Sequence, residues 1–355
     1  MMTIAEFSAP PSLDHGDAGD DNGPSEFADH PLRAWFASSA MLVLLVDLAM
    51  IGFFSLVSRD HVFWSIANAL SLLRDGTEPL VLALSVTLLM SAGLIDLSIG
   101  ANLVLCSVIS AMGMQELSAA GLPPPLVASL GFVIALVAGC AFGIANGLII
   151  AGLRINSLIA TLGTLGVGSG VALLLTGGQD IREVPMLLQS GFAQARLGFI
   201  PLPMACALAL ALVIWFLLRF TSFGMRTLAI GSNESAVLRA GVAVRRHVIA
   251  LTALAGCLPG FAGFVDLARY GATTMMSHDE DGLVAVTATV IGGTALSGGR
   301  ASVIGTVFGA ALGLILFSGL IIIRVRPFWQ LVVTGVVLIA AVASDQYRAH
   351  RVGQH

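Results

Sequence analysis

The sequence predicts an all-α, polytopic membrane protein of about ten spans, some of them short or broken. Two observations carry that prediction. Hydrophobic residues make up 57% of the 355 positions and charged residues 11%, which is too little polar surface to clothe a water-soluble globule of this size. The apolar residues also fall in runs of about 20, the length a helix rising about 1.5 Å per residue needs to cross a hydrocarbon core about 30 Å thick.

By that ruler the spans are residues 34–57, 79–95, 100–117, 126–153, 157–176, 202–219, 248–268, 283–296, 301–323 and 328–344. The second, third and eighth are short or interrupted by glycine, and residues 65–73 read as a helix at the outer interface. Residues 1–33 carry Glu6, Asp14, Asp17, Asp20, Asp21, Glu26 and Asp29 among Gly, Pro and Ser. With so little apolar content they are expected to form a disordered, acidic cytoplasmic tail. A secretory signal would set basic residues directly before its apolar core, whereas here the first basic residue, Arg33, follows the acidic stretch. Residues 34–57 are therefore expected to remain as an anchor. Residues 34–345 then form one transmembrane domain, and 346–355 a second cytoplasmic tail.

An even number of spans places both termini on the same side. Arg219, Arg226, Arg239, Arg245 and Arg246 crowd the connection between the sixth and seventh spans, so the excess of positive charge makes that loop, and with it both termini, cytoplasmic. The net charge of -4 arises in the acidic tail and says nothing about a ligand. Cys106, Cys140, Cys206 and Cys257 lie far apart inside apolar runs, without the spacing of a redox or metal motif. His15, His30, His61, His247, His278, His350 and His355 likewise show no paired spacing, and no metal site is expected. The chain contains no lysine, so GGTALSGGR at 292–300 cannot be a phosphate-binding loop, whose last glycine must be followed by one.

The cytoplasmic loop, 220–247, holds the most informative local chemistry. Ser232 or Asn233 is a natural N-cap, Glu234 suits the positive end of a helix, and AVLRA is a helical run containing Ala236 and Arg239. Gly241 supplies the stop. The pattern predicts a helix of about two turns held in the cytoplasm, either an ordinary capped connector or a small body able to dock into a cleft on a partner.

Thr221, Phe223, Gly224, Ala229, Ile230, Gly231, Asn233, Ala236 and Gly241 match, position by position, the coupling loop of the permease subunits of ribose-type sugar ABC importers. Three further stretches resemble the same family: IDLSIG at 95–100, IATLGTL at 159–165 and VIGGTALSGGRASVIGTVFGA at 290–310. With the closing RPFWQLVVTGVVLIAAV, the resemblance runs from about residue 34 to 345. It implies the fold of a type II ABC importer and a permease subunit in the bacterial inner membrane that forms a translocation path for a sugar, as a homodimer with a second copy of itself.

The resemblance further implies a separate ABC ATPase, which would bind ATP and magnesium, and a periplasmic substrate-binding protein. No cofactor, enzymatic activity or nucleic-acid partner is expected of this chain, and membrane lipid surrounds it. Gly231, Asn233, Glu234, Ala236, Arg239 and Gly241 are the residues expected to couple it to the ATPase. The chain departs from the family where acidic residues normally precede the VIGG stretch. Gly282 and Val284 stand there, with Glu280 and Asp281 displaced upstream.

Asp96 reads as the one carboxylate in an otherwise apolar region. Burying a carboxylate at mid-bilayer costs about 2.5–3.5 kcal/mol on insertion scales, so it must sit at a break, near water or a partner. Either it joins Ser98, Asn102 and Ser297 on the translocation path, or it caps a helix beginning at Leu97 or Ser98. Gly93, Leu97, Ser98 and Gly100 are echoed at the same spacing by Gly292, Leu296, Ser297 and Gly299, the arrangement of paired broken segments found in many transporters. Gly305, Gly309 and Gly313, like Gly139, Gly143 and Gly147, recur every four residues and are expected to let helices pack closely. The alternative function is an autonomous secondary transporter or channel, which would need its own coupling groups within the spans. A third reading, a membrane enzyme, would need a paired acid and base, metal ligands or an activated nucleophile in the spans, and the sequence shows none there.

Overall fold

A computed structural model describes residues 39–182 and 184–326 and a few positions between 328 and 336. The two tails and most of the tenth span, residues 328–344, lie outside the described residues. The polypeptide runs through α1 (Ser39–Val57), α2 (Ile66–Asp75), α3 (Thr77–Ser91), α4 (Ile99–Ala119), α5 (Pro124–Gly147) and α6 (Ser157–Thr176). It continues through a two-residue hairpin, Arg196–Leu197 against Ile200–Pro201, to α7 (Leu202–Phe220), α8 (Ser222–Arg239), α9 (Val244–Tyr270), α10 (Asp281–Ile291) and α11 (Val303–Ile322). Among the described residues seven helices are long and apolar enough to cross a membrane: α1, α4, α5 with the turn Leu148–Gly152 that extends it, α6, α7, α9 and α11.

The second and eighth expected spans are shorter than the sequence suggested. Helix α3 has 15 residues and ends at Ser91, and α10 has 11 and ends at Ile291. Both stop for the same reason. Gly93 (φ 74°) accepts the left-handed conformation, its N–H bonds Met90 O, and the next N–H, on Leu94, reaches back to Leu89 O. Gly293 (φ 93°) does the same with Val290 O, while Thr294 reaches Thr289 O. These paired bonds satisfy the orphan carbonyls that a helix end would otherwise leave unmet in lipid. The structural counterpart of Gly93 is thus Gly293, so the echo pairing it with Gly292 is one residue out of register.

Buried positions concentrate on α3, where 14 of 15 residues are buried, and on the inner faces of α4 and α9. Lipid supplies no hydrophobic force between helices, so their association rests on close packing and hydrogen bonds. Helices α5 and α9 show how close. A Cβ on Gly139 would overlap the Gly256 carbonyl, one on Gly143 the Thr252 carbonyl, and one on Gly260 the Ala135 carbonyl. Polar threads tie the remaining core: Thr87 Oγ1 lies 2.8 Å from Thr306 Oγ1, and Thr289 Oγ1 donates to Ala83 O at 3.0 Å.

The second glycine stripe is only partly used. Gly305 abuts Gly292 and Gly309 abuts Ala288, joining α11 to α10, but Gly313 lies one turn further on, exposed, with nothing within 4 Å of a would-be Cβ. It is not a packing residue within the described chain, contrary to the expectation from spacing. This contrast gives a direct test. Gly143→Leu should overpack the α5–α9 contact by about 1–3 kcal/mol or more and cut the yield of monodisperse protein. Gly313→Leu should leave yield and elution in size-exclusion chromatography unchanged.

Candidate functional site

Helix α8 begins where the Thr221 side chain accepts from Gly224 N–H, and it is anchored at its base to α9. Thr227 Oγ1 lies 2.8 Å from His247 Nε2, and the Phe223 ring stacks on the His247 ring with centroids 4.4 Å apart. The helix is 18 residues long and kinked, not the isolated two-turn helix expected, because the sequence from Ser222 to Ser232 is helical as well. The break falls at Asn233 (φ -161°, ψ 90°), whose Oδ1 accepts from Ala236 N–H at 2.9 Å. Asn233, rather than Ser232, is therefore the N-cap of the second half. At the far end Gly241 (φ 80°) bonds Leu238 O, and Val242 bonds Val237 O, closing the helix as the glycine predicted.

The two halves have opposite surroundings. From Ser232 to Gly241 only Val237 is buried, so Glu234, Ala236 and Arg239 all face outward. Just before this tip, Gly231 is wedged against the body: a Cβ there would overlap the Ser91 carbonyl, the Gly299 amide and Gly298 Cα. Gly299 N–H donates to Ser91 O at 3.1 Å, so one backbone junction joins α8 to the turns that end α3 and α10. Gly298 (φ 86°) and Gly299 (φ 77°) both need the left-handed region to form it. An exposed, capped helix on a rigid backbone seat can receive a push and pass it on.

Asp96 sits in the break between α3 and α4 but does not cap as expected, since α4 starts at Ile99 with Ser98 as its N-cap residue. Its carboxylate instead folds back locally. Asp96 Oδ1 accepts from Ser98 N–H (2.7 Å) and Ser98 Oγ (2.5 Å), and Asn146 on α5 donates to Ser98 Oγ (2.9 Å) and more distantly to Asp96 Oδ2 (3.4 Å). The start of α6 supplies Ser157 Oγ to Ile95 N–H and Thr161 Oγ1 to Leu97 N–H. Asn102 turns away, its amide donating to Gly256 O and its oxygen accepting from Cys106. Ser297 is exposed, and its carbonyl, not its side chain, abuts Gly93. The four residues expected on the path thus form no single constellation; Asp96 and Ser98 are joined by Asn146, which the sequence did not single out.

Asp96 is also not alone. Asp96 is only partly buried, whereas Asp47, Glu78 and Asp266 are 3%, 6% and 0% exposed. Asp266 belongs to a cluster at the opposite end of α9 from α8. Its Oδ2 accepts from Thr274 Oγ1 (2.7 Å) and its Oδ1 lies 3.4 Å from His278 Nε2. His278 Nε2 lies 2.9 Å from Thr274 Oγ1, and Nδ1 lies 2.6 Å from Asp281 Oδ2. Beside them Arg269 pairs with Asp75, its other nitrogen 3.8 Å from Glu78. One usable signal lay in the sequence, the three-residue spacing of His278 and Asp281. Asp266 was hidden inside an apolar run.

Burial alone would push the His278 imidazole toward its neutral form, but the hydrogen bonds and charges of Asp266 and Asp281 outweigh it and hold the pKa up at about 10. A folded-state value above the usual 6.5 means that the imidazolium's stabilisation is complete below pH 6.5 and is lost as the pH rises through about 10. His278→Asn should therefore destabilise the protein at neutral pH by about 3 kcal/mol, the cost of breaking a buried ion pair. Thermal melts of the two proteins in detergent should converge once the pH passes about 10.

Residues 68–342 match the family described as the permease component of branched-chain amino acid transport systems. The galactose/methyl galactoside import permease of Haemophilus influenzae is 31% identical over 86% of this chain and 93% of its own. The ribose import permease of Bacillus subtilis is 36% identical over 79% and 85%, and the D-allose transport system permease of Escherichia coli 30% identical over 83% and 90%. No solved structure matches the chain. A multi-pass helical body, a helix exposed on a backbone seat, and similarity along nearly the whole length of these proteins agree: the chain belongs to this family of ABC-importer permease components.

Proposed function

We propose that the chain forms the inner-membrane translocation path for a monosaccharide, working as a dimer, receiving its cargo from a periplasmic binding protein and its energy from a separate ATPase. The observation that carries the mechanical part is the α8 seat. Residues 232–241 stand exposed save Val237, while Gly231 touches the backbone where α3 and α10 end. Closure of an ATPase dimer onto the tip would tilt α8 on its Thr227–His247 anchor and shift both short helices, switching the path between outward-open and inward-open states. ATP and magnesium stay with the ATPase, and both termini of the permease lie on the same, cytoplasmic side as α8.

A sugar cargo is supported by the galactose, ribose and allose permeases, which cover the chain at 30–36% identity. Selectivity would reside chiefly in the binding protein. The break at Asp96 offers hydroxyl and amide groups from Ser98, Ser157, Thr161 and Asn146, suited to passing a hydroxylated solute. An ion-coupled carrier is the competing reading, and the buried Asp266 and His278 are groups of the type such a carrier uses. Both already partner neighbours within the outer cluster.

Liposomes decide between the readings. Purified chain alone should move no monosaccharide, and transport should appear only with the ATPase, ATP and the binding protein; uptake without them contradicts the proposal. Gly231→Val should leave the complex assembled but lower ATP-driven transport by an order of magnitude or more, because a side chain there must lift α8 from its seat. Transport at the unaltered rate in that variant, or after deletion of residues 233–240, removes α8 as the transmission element.

A further inference from the structure

Resting on the reading of α8 as the point where force enters, we propose that α10 is the short rod carrying that force from the α8 seat into the body, and that His278 is the clamp joining its far end to the outer segment 271–280. Helix α9 sets the scale. With 27 residues it is about 40 Å long, more than the hydrocarbon thickness, so its α8 end and its Asp266 end face opposite sides of the membrane.

Helix α10, with 11 residues about 16 Å long, covers less than half of that distance and has the α8 seat at one end and His278 at the other. After Ile291 the chain turns through Gly298 and Gly299, which abut Gly231 and Ser232 of α8 and bond to Ser91. At its start, Asp281 holds His278 Nδ1 at 2.6 Å, while Nε2 of the same imidazole ring meets Thr274 and Asp266. One side chain thereby fastens three pieces of chain: the start of α10, the end of α9 and the outer segment. The backbone repeats the connection, for the His278 carbonyl presses on Gly100 at the start of α4 and Gly282 packs on the Leu97 carbonyl. Between the ends, Ala285 to Val290 are buried without interruption, so α10 moves lengthwise with little freedom to bend.

The charges around the clamp favour a fixed cation. Asp266 from α9 and Asp281 from α10 contact His278, while Arg269 of α9 pairs with Asp75 and lies 3.8 Å from Glu78 of α3. A hydrogen bond between charged partners is shorter and about twice as strong as a neutral one, which suits a joint that must transmit force. The segment it holds includes Met276, 79% exposed, on the side where the binding protein would dock.

The clamp is tested in the complete complex of permease, ATPase and binding protein in nanodiscs. ATP hydrolysis is measured with and without cargo-loaded binding protein, and assembly is checked by co-purification. In Asp281→Asn, isosteric and partly exposed, stimulation by the binding protein should be lost while basal hydrolysis and assembly are kept. Asp281→Glu, which restores an anionic partner, should recover stimulation. A purely structural role would lower assembly and basal rate together and would not separate the two rates. Full stimulation in Asp281→Asn overturns the proposal. The unaltered complex reports the permease reading by itself, so a failure of that reading appears as absent stimulation before any substitution is made.

Discussion

The structure depends on one constraint: three separated stretches of backbone must touch at a single point. Ser91 at the end of α3, Gly298 and Gly299 after α10, and Gly231 in α8 meet with no room for a side chain between them. In water such a junction would compete with solvent for its peptide groups. Near a bilayer the helix-ending carbonyls must find partners inside the protein, and the turns at Gly93 and Gly293 supply them. Two short helices can therefore stop inside the body, and their ends become a seat for a third.

That seat explains why so much of the core is uniform and so little is reactive. Helix α3 is buried almost throughout, and the contacts of α10 and α11 with it run through glycine, alanine and threonine. Small residues let backbones approach, and threonine hydroxyls bond across the gap without carrying charge. Apart from Asp47 in α1 and Asp96 in the break, charged groups cluster at the two ends of the body, with Arg226, Arg239, Arg245 and Arg246 around α8 and the His278 cluster at the far end of α9. The middle is built to slide and pack, and the ends are built to be held.

Features set by local chemistry were legible in the sequence. Asn233 as a cap and Gly241 as a stop follow from hydrogen bonding within a few residues, and the stripe of Gly139, Gly143 and Gly147 follows from helical spacing. What escaped depends on distant chain. Nothing near Gly313 in sequence tells that no other part of the described chain comes within 4 Å of a Cβ placed there. The paired glycines at 292–293 do not reveal which of them takes the left-handed turn, so the echo with Gly93 was misregistered by one. Asn146 reaches Ser98 across 48 positions, and Asp266 acquires meaning only when the chain doubles back to bring His278 against it.

The central claim, that force enters through the exposed half of α8, is tested most directly by cross-linking. A cysteine at Leu238, 53% exposed on that half, would be paired with cysteines along the cleft of the ATPase in the purified complex. The account predicts a specific cross-link between the two chains whose yield changes when ATP is added. Failure to cross-link at any cleft position, together with labelling of residue 238 by a membrane-impermeant reagent from the periplasmic side, would contradict it.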